Sequence, residues 1–94
     1  MRNYRCRLGE LDLVMTHAQL LVVVEVRLRS ASRFGAGFES VTRAKRHRLI
    51  QATRHFLMRH RNFRQWPCRF DVVSVSKRNY GPHLQWIQDA FSTS

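Results

Sequence analysis

The segment Leu20–Leu28, with the sequence LLVVVEVRL, is the most apolar stretch of this 94-residue chain. Apolar residues occupy both faces of the segment in an extended conformation, as in a central strand that is covered on both sides of its sheet. The run is much shorter than the ~18–20 apolar residues that a membrane-spanning helix requires. The charged residues in its interior are Glu25 and Arg27. The segment therefore predicts a central β-strand with one acidic and one basic residue on the same face.

The segments before and after this strand predict the loops and strands around it. Weak alternation over Asn3–Arg7 and strict alternation over Glu10–Met15 predict two strands on its N-terminal side. Thr16–Gln19 is expected to form the turn that leads into the central strand. The segment Ser30–Glu39, which contains serines and glycines, is expected to be a loop.

A long helix is expected after this loop. Thr42 is a suitable N-cap, and the helix is expected to end near His60. Its apolar stripe comprises Leu49, Ile50, Ala52, Phe56 and Leu57, extended toward the N-terminus by Val41 and Lys45. Further strands are expected over Arg69–Val75 and, as a short last one, over Leu84–Ile87. Because the helix is long enough for a crossover between parallel strands, residues 1–94 predict one α/β domain with a mixed β-sheet and a crossover helix.

The charge balance indicates the class of partner. The chain has 17 Lys and Arg against 6 Asp and Glu, a formal net charge of +11, which favours nucleic acid as a polyanionic partner. No segment has the pattern of a basic amphipathic membrane anchor, and the N-terminus lacks the apolar stretch of a secretory signal. We therefore expect a cytoplasmic protein with no membrane partner. The candidate nucleic-acid contacts are the arginines Arg5, Arg7, Arg29, Arg33, Arg43 and Arg46.

Three of the six acidic residues lie in two adjacent predicted strands. A turn centred between His17 and Ala18 pairs Glu10 with Glu25 and places the charged residues of both strands on one face: Glu10, Asp12, Glu25 and Arg27. Asp12 and Glu25 are then diagonal neighbours, roughly 7–8 Å apart at Cα. Such carboxylates suit Mg²⁺ or Mn²⁺. The alternative is that each carboxylate forms a structural ion pair with one of the many arginines.

These segments resemble the bacterial YraN family. The resemblance rests on GELDL at 9–13, VEVR at 24–27, SVT at 40–42 with Lys45, RFDVV at 69–73, and Trp86-Ile87 with Ala90-Phe91. It extends over nearly the whole chain and keeps the order and spacing of the motifs. Because that family resembles Holliday-junction resolvases and other PD-(D/E)xK nucleases, the resemblance implies a restriction-endonuclease-like core.

The resemblance also implies roles for individual residues. Asp12 matches the nuclease-motif aspartate and Glu25 the acidic member of the (D/E)xK part, so both are expected to hold the metal, with Glu10 beside them. Arg27 lies at the lysine position of the motif; an arginine can stabilise charge on a phosphate but is a poor base, because a guanidinium group does not readily release its proton. Lys45, on the inward stripe at the start of the helix, is the candidate to replace that lysine. The family usually begins with a helix that this chain lacks, so the expected core is N-terminally truncated.

These residues together predict a metal-dependent endonuclease-like protein that acts on branched or structured DNA. Its expected catalytic residues are Asp12, Glu25, Arg27 and Lys45, with Mg²⁺ or Mn²⁺ as cofactor. One alternative is a catalytically silent nucleic-acid-binding protein of the same fold. Another is a basic RNA-associated scaffold with structural carboxylates, which is weakened by the lack of an aromatic base-stacking motif on any predicted strand.

The same pattern predicts self-association. A central strand that is apolar on both faces needs cover on both sides of the sheet, and one long helix can cover only one side. We therefore expect the uncovered face to associate, most simply as a two-fold homodimer. The alternative is that the chain is a fragment of a form that keeps the initial helix.

Overall fold

The computed structural model describes residues 1–29, 42–78 and 81–91. The elements are β1 (Arg2–Cys6), β2 (Gly9–His17), β3 (Leu20–Arg29), α1 (Arg43–Arg59), a 3₁₀ helix (Arg61–Phe63), β4 (Cys68–Arg78) and β5 (Gly81–Phe91). All five strands form one sheet in the order β1-β2-β3-β4-β5, in which β3 and β4 are parallel and the other neighbours antiparallel. The predicted mixed sheet with a crossover helix is confirmed, whereas the predicted loop over Ser30–Glu39 lies outside the described residues. Within the described ranges, no helix is long and apolar enough to cross a membrane.

Helix α1 begins and ends as its sequence predicts. The Thr42 side chain accepts a hydrogen bond from the Lys45 N–H at 3.2 Å, which satisfies one of the free amides of the first turn. The expected stripe is buried at Leu49, Ala52 and Phe56 and half-buried at Ile50 and Leu57. Val41 lies outside the described residues. Thr53 is also buried. Its hydroxyl group remains hydrogen-bonded there, because it donates to the Leu49 carbonyl oxygen at 2.8 Å.

The hydrophobic core lies between α1 and one face of the sheet. It includes Leu11 and Val14 of β2, Leu21 and Val23 of β3, and Phe70 and Val72 of β4, together with Tyr4 and the buried side of the helix. Gly9 permits the close approach of β2 to α1: a Cβ at this position would lie 3.2 Å from the Arg48 carbonyl oxygen.

The predicted register between β2 and β3 is wrong by two residues. The structure pairs Met15 with Val22, not with Leu20. The reason is a two-residue turn at Ala18 and Gln19, whose φ angles of 50° and 63° are the positive values required by a type I′ hairpin turn. A shift of two residues does not by itself move any side chain to the other face. It changes only which residues lie opposite each other.

Strand β2 lies between β1 and β3, and its two ladders overlap at Leu13. Residues up to Leu13 pair with β1, and residues from Leu13 onward pair with β3. Leu11 and Val14 are three positions apart, yet both are buried in the core, so the strict alternation predicted over Glu10–Met15 is wrong across this point. Asp12 lies where the pairing with β3 ends. This position is what makes its side chain available to β3.

The face of the sheet opposite α1 is partly exposed in the described part of the chain, although Val22 and Val24, which alternation places on this face, are buried. Strand β3 is central, but it is buried only over Leu21–Val24 and not over the whole predicted range. Register and alternation place four exposed apolar side chains on this face: Met15 (53% exposed), Leu28 (84%), Leu84 (63%) and Trp86 (55%). We call these four residues the open-face patch.

Candidate active site

Two carboxylates meet where β2 leaves β3. The backbone N–H of Val26 donates to Asp12 Oδ2 at 2.9 Å, so the Asp12 side chain takes the place of a ladder partner. This bond fixes the Asp12 carboxylate beside Glu25, the residue before Val26. The printed pairs of the hairpin end at Leu13 and Val24, so the observed register continues to Asp12 opposite Glu25 rather than to the predicted pairing of Glu10 with Glu25.

The ionisation of Glu25 reflects this arrangement. Burial, followed by the negative charge of Asp12, raises the pKa of Glu25 to about 7. Arg27 and Lys45 act in the opposite direction but are outweighed. Near neutral pH the pair therefore carries a proton that two separate carboxylates would not hold.

Arg27 is the cation nearest to the pair. Its Nε lies 3.6 Å from Glu25 Oε1, and both side chains are less than one-fifth exposed. Because this separation exceeds hydrogen-bonding distance, the buried Nε has no hydrogen-bond partner among the residues that the structure describes. A buried donor without a partner costs about 1–3 kcal/mol. An anionic ligand would satisfy it.

A cavity of about 200 Å³ opens in front of these groups, between the sheet and the start of α1. Its lining residues are Gly9, Glu10, Glu25, Arg27, Lys45, Arg48 and Leu49. Lys45 thus faces the acidic pair from the inward side of the helix, as its position in the stripe predicts. The sequence reasoning missed Arg48, although its spacing of three residues from Lys45 places it on the same side of the helix.

The predicted third metal ligand is not brought into this set. Glu10 lies at the rim of the cavity and pairs with Arg5 of β1, with Arg5 Nε 3.2 Å from Glu10 Oε1 and both side chains exposed. In the part of the chain that the structure describes, no three His, Cys, Asp or Glu side chains come close enough together to hold a metal ion. Asp12 and Glu25 are therefore a pair of possible ligands rather than part of a trio.

None of the predicted nucleic-acid contacts that the structure describes lines this cavity, although Arg5 pairs with Glu10 at its rim. Arg7 and Arg43 are exposed, whereas Arg46 lies over the Phe91 ring, 5.7 Å from its centroid. The whole of Arg33 and the side chain of Arg29 lie outside the described residues. The cations that line the cavity are Arg27, Lys45 and Arg48.

A second carboxylate cluster, which the sequence reasoning did not identify, has a structural role. Buried Asp71 accepts two hydrogen bonds from Arg69 at 2.9 Å, one from Trp86 Nε1 at 3.0 Å and one from the Asp89 backbone N–H at 2.9 Å. Burial alone would raise the pKa of Asp71, but these donors outweigh it and hold the pKa below its usual value. The cluster secures β5 to β4 where their register shifts. Arg69 and Asp71 of the RFDVV motif therefore stabilise the fold rather than take part in a reaction.

The fold and the cavity define an α/β domain with a mixed sheet, two interacting carboxylates and three cations at one end of its helix. The sequence profile of the family described as "Uncharacterised protein family UPF0102" matches residues 1–75. The chain belongs to this family, the YraN family, which confirms the resemblance of its motifs.

Relatives from several bacteria match almost the whole chain. The chain is 52% identical over 91 residues to a UPF0102 protein of Methylobacillus flagellatus, an alignment that covers 97% of the chain and 77% of the relative. It is 47% identical over 90 residues to a UPF0102 protein of Nitrosococcus oceani, covering 96% and 73%. It is 48% identical over 89 residues to a UPF0102 protein of Methylococcus capsulatus, covering 95% and 71%.

Proposed function

We propose that the protein is a metal-dependent phosphodiesterase that acts in the cytoplasm on DNA with a branched or otherwise distorted structure, and that its sheet and helix form a restriction-endonuclease-like core. The observation that carries this proposal is a cavity lined by Glu25, Arg27 and Lys45, with the Asp12 carboxylate held beside Glu25 although Asp12 does not itself line the cavity. Carboxylates that could hold a cation and positively charged side chains that could hold a phosphate are thus close to the same small cavity. The net charge of +11 supports a polyanionic substrate.

The two carboxylates fit a divalent cation. Burial, followed by the charge of Asp12, outweighs Arg27 and Lys45 and raises the pKa of Glu25, and a bound divalent cation would favour its ionised form. Mg²⁺ in phosphate-processing sites is commonly held by one or two carboxylates, with water and substrate phosphate completing its coordination. Asp12 and Glu25 would be its protein ligands. Such an ion supplies a bound water of lowered pKa and stabilises negative charge on the phosphate.

The remaining groups of the cavity bind and orient the phosphate. Arg27 presents a buried Nε–H that has no hydrogen-bond partner among the described residues, and a phosphate oxygen is a suitable acceptor for it. Lys45 adds a positive charge from the opposite wall, where it would oppose the charge that develops on the phosphate. The guanidinium group of Arg27 stays protonated, so its role is to stabilise charge and not to accept a proton.

A cleavage assay tests this function. The protein is incubated with four-way-junction, flap and linear DNA, with Mg²⁺ or Mn²⁺ present or chelated. We expect metal-dependent products from the parent and none from Glu25→Ala. The matched control is Asp89→Asn, which removes the same charge from β5 at a position whose φ of 53° asparagine tolerates; it is expected to cleave like the parent.

The assay separates the enzyme from the alternative. Metal-dependent cleavage by Glu25→Ala at the parental rate, or no product from the parent with any substrate, would rule out the proposed reaction. If the parent binds DNA but gives no product, the catalytically silent nucleic-acid-binding protein is the better description. That outcome would leave the basic surface as the functional feature.

We also propose that the open-face patch binds a second copy of the chain. Four large apolar side chains, each more than half exposed, lie on this face. Leu28, Leu84 and Trp86 are neighbours by register, whereas Met15 lies opposite Val22, about 20 Å along β3 from Leu28. The charge beneath them is balanced, because Arg69 is bound to Asp71. For a chain of net charge +11, a neutral apolar face is the surface on which two copies meet with the least repulsion.

Light scattering tests the self-association. The parent is expected at twice its monomer mass of 11.2 kDa, and Leu84→Lys is expected at the monomer mass. Met58→Lys, which changes an equally exposed apolar residue of α1, is the control and is expected to remain a dimer. A parent that scatters as a monodisperse 11.2 kDa species and melts cooperatively would contradict the proposal.

A further inference from the structure

A second cavity, of about 420 Å³, lies at the other end of α1. It is lined by Arg54, Leu57, Met58, Arg61 and Arg64. Three of the five lining residues are arginines, and no acidic residue is among them. None of the three guanidinium groups forms an ion pair or a side-chain hydrogen bond with another described residue. The cavity therefore concentrates positive charge that the described part of the fold does not neutralise.

Packing of aromatic rings holds this cavity in shape. After α1 ends, the 3₁₀ helix turns the chain back toward the last turns of α1. Phe63 fixes this turn, with its ring centroid 6.3 Å from that of Phe56 and 5.0 Å from that of Trp66. Arg61 and Arg64 flank Phe63 and are thereby positioned beside the helix. A site that is built before its ligand arrives loses less entropy on binding.

The cavity is separate from the carboxylate site. Arg54 follows Lys45 by nine residues, which is two and a half helical turns, or about 14 Å along the axis. Because the separation includes an extra half turn, Arg54 lies on the outer side of α1, whereas Lys45 faces inward. Successive phosphates of one strand are ~3.4 Å apart along the duplex axis. A phosphate bound in this cavity therefore lies about four nucleotides from a phosphate at the carboxylate site, or belongs to a different segment of nucleic acid.

We propose that this cavity is a second phosphate-binding site, which holds a backbone phosphate of nucleic acid remote from the carboxylates. Guanidinium groups match the geometry of phosphate oxygens with paired N–H donors. The Leu57 and Met58 side chains complete the lining, and the three exposed arginines leave the cavity accessible to a phosphate on a large polyanion. The inference rests on the nucleic-acid part of the proposed function but does not depend on cleavage.

A salt-dependence measurement tests the site. Binding of the protein to a 20-base-pair duplex is followed by fluorescence anisotropy at several salt concentrations, with EDTA present so that no metal contributes. The variant R61Q/R64Q removes two cavity arginines, and R2Q/R59Q removes the same charge from exposed positions that do not line the cavity. Each lost phosphate contact lowers the slope of log K against log salt by about 0.9. Because the site holds one phosphate, we expect the magnitude of the slope to fall by about 0.9 for R61Q/R64Q and to stay unchanged for R2Q/R59Q.

Two further readouts exclude a purely structural role. Arginines near the C-terminal end of a helix also stabilise it through the helix dipole. A lower melting temperature of R61Q/R64Q with an unchanged salt slope would therefore overturn the proposal. In addition, titration with inorganic phosphate is followed by the Nε–Hε NMR signals of the arginines. Saturable shifts at Arg54, Arg61 and Arg64, but not at Arg2, are expected, and their absence would also overturn it.

The outcomes distinguish this site from the proposed function. If the parent binds neither this duplex nor the four-way-junction and flap DNA, both proposals lose their substrate. If the parent binds and the two double variants behave alike, only the second phosphate site is refuted. If the slopes differ as expected while no DNA is cleaved with Mg²⁺ or Mn²⁺, the phosphate site stands and the enzymatic reaction does not.

Discussion

The substitution Glu25→Gln is expected to stabilise the metal-free protein at neutral and higher pH. Burial and Asp12 raise the pKa of Glu25 from 4.5 to about 7. A difference of that size corresponds to about 3 kcal/mol between the protonated and ionised forms. The Glu25 side chain is 18% exposed, and screening by solvent reduces the expected free-energy difference to about 2 kcal/mol.

The sign follows from which state binds the proton more tightly. The folded protein has the higher Glu25 pKa, so the stabilisation is fully present below pH 4.5 and is lost as the pH rises to about 7. The parent should therefore lose about 2 kcal/mol across this window relative to Glu25→Gln. For a domain of this size, that difference corresponds to about 10 °C in Tm.

Urea unfolding, followed by circular dichroism at pH 5, 6, 7 and 8 in EDTA, measures this difference. Every other titratable group is common to both proteins, so subtracting one stability curve from the other isolates the contribution of Glu25. Glu10→Gln is the matched control, because Glu10 is exposed and pairs with Arg5 at the surface; its curve should follow that of the parent.

The opposite result would refute the reasoning. If Glu25→Gln were less stable than the parent at pH 8 by more than about 1 kcal/mol, Glu25 would be a structural ion-pair partner of Arg27, as buried pairs that lose one member behave. Addition of Mn²⁺ to the parent provides a further check. Mn²⁺ should restore the stability lost at high pH, because a ligand that binds only the folded state stabilises it.

Three other substitutions probe the fold and the site. Asp12→Asn keeps an oxygen that can accept the Val26 N–H but should abolish the rise in Tm caused by Mn²⁺; a large loss of metal-free stability would favour the ion-pair alternative. Asp71→Asn should lower the free energy of unfolding by about 3 kcal/mol, measured by urea denaturation, and a loss below about 1 kcal/mol would contradict its role as a buried anchor. Ala18→Asn combined with Gln19→Gly should raise the free energy of unfolding by about 1–2 kcal/mol, and an unchanged thermal melt would show that the turn has another conformation.

The secondary structure was predictable because its signals are local. Thr42 and the apolar stripe that follows it define α1, since capping and helical periodicity depend on residues within a few turns of each other. The apolar run of Leu20–Leu28 likewise predicts a central strand, and β3 is central. The last strand was predicted too short, as Leu84–Ile87, because its exposed half lacks apolar alternation.

The hairpin register was not predictable in the same way. It depends on the conformation of Ala18 and Gln19, and neither residue type is a common signal for a type I′ turn. The sequence pattern therefore did not distinguish a four-residue turn from a two-residue turn. The two alternatives differ by an even shift, so Asp12 and Glu25 were still predicted on the same face.

The amino-acid sequence by itself determined that Asp12, Glu25 and Arg27 share a face and that Lys45 lies on the inward stripe of the helix, because strand and helix periodicity set the direction of each side chain. Only the tertiary structure decided that Glu10 pairs with Arg5 instead of joining them. It also decided that Arg48 lines the cavity. These outcomes depend on where β2 separates from β3 and on how closely α1 approaches Gly9, which are distances between segments far apart in the chain. Local periodicity carries no information about such distances.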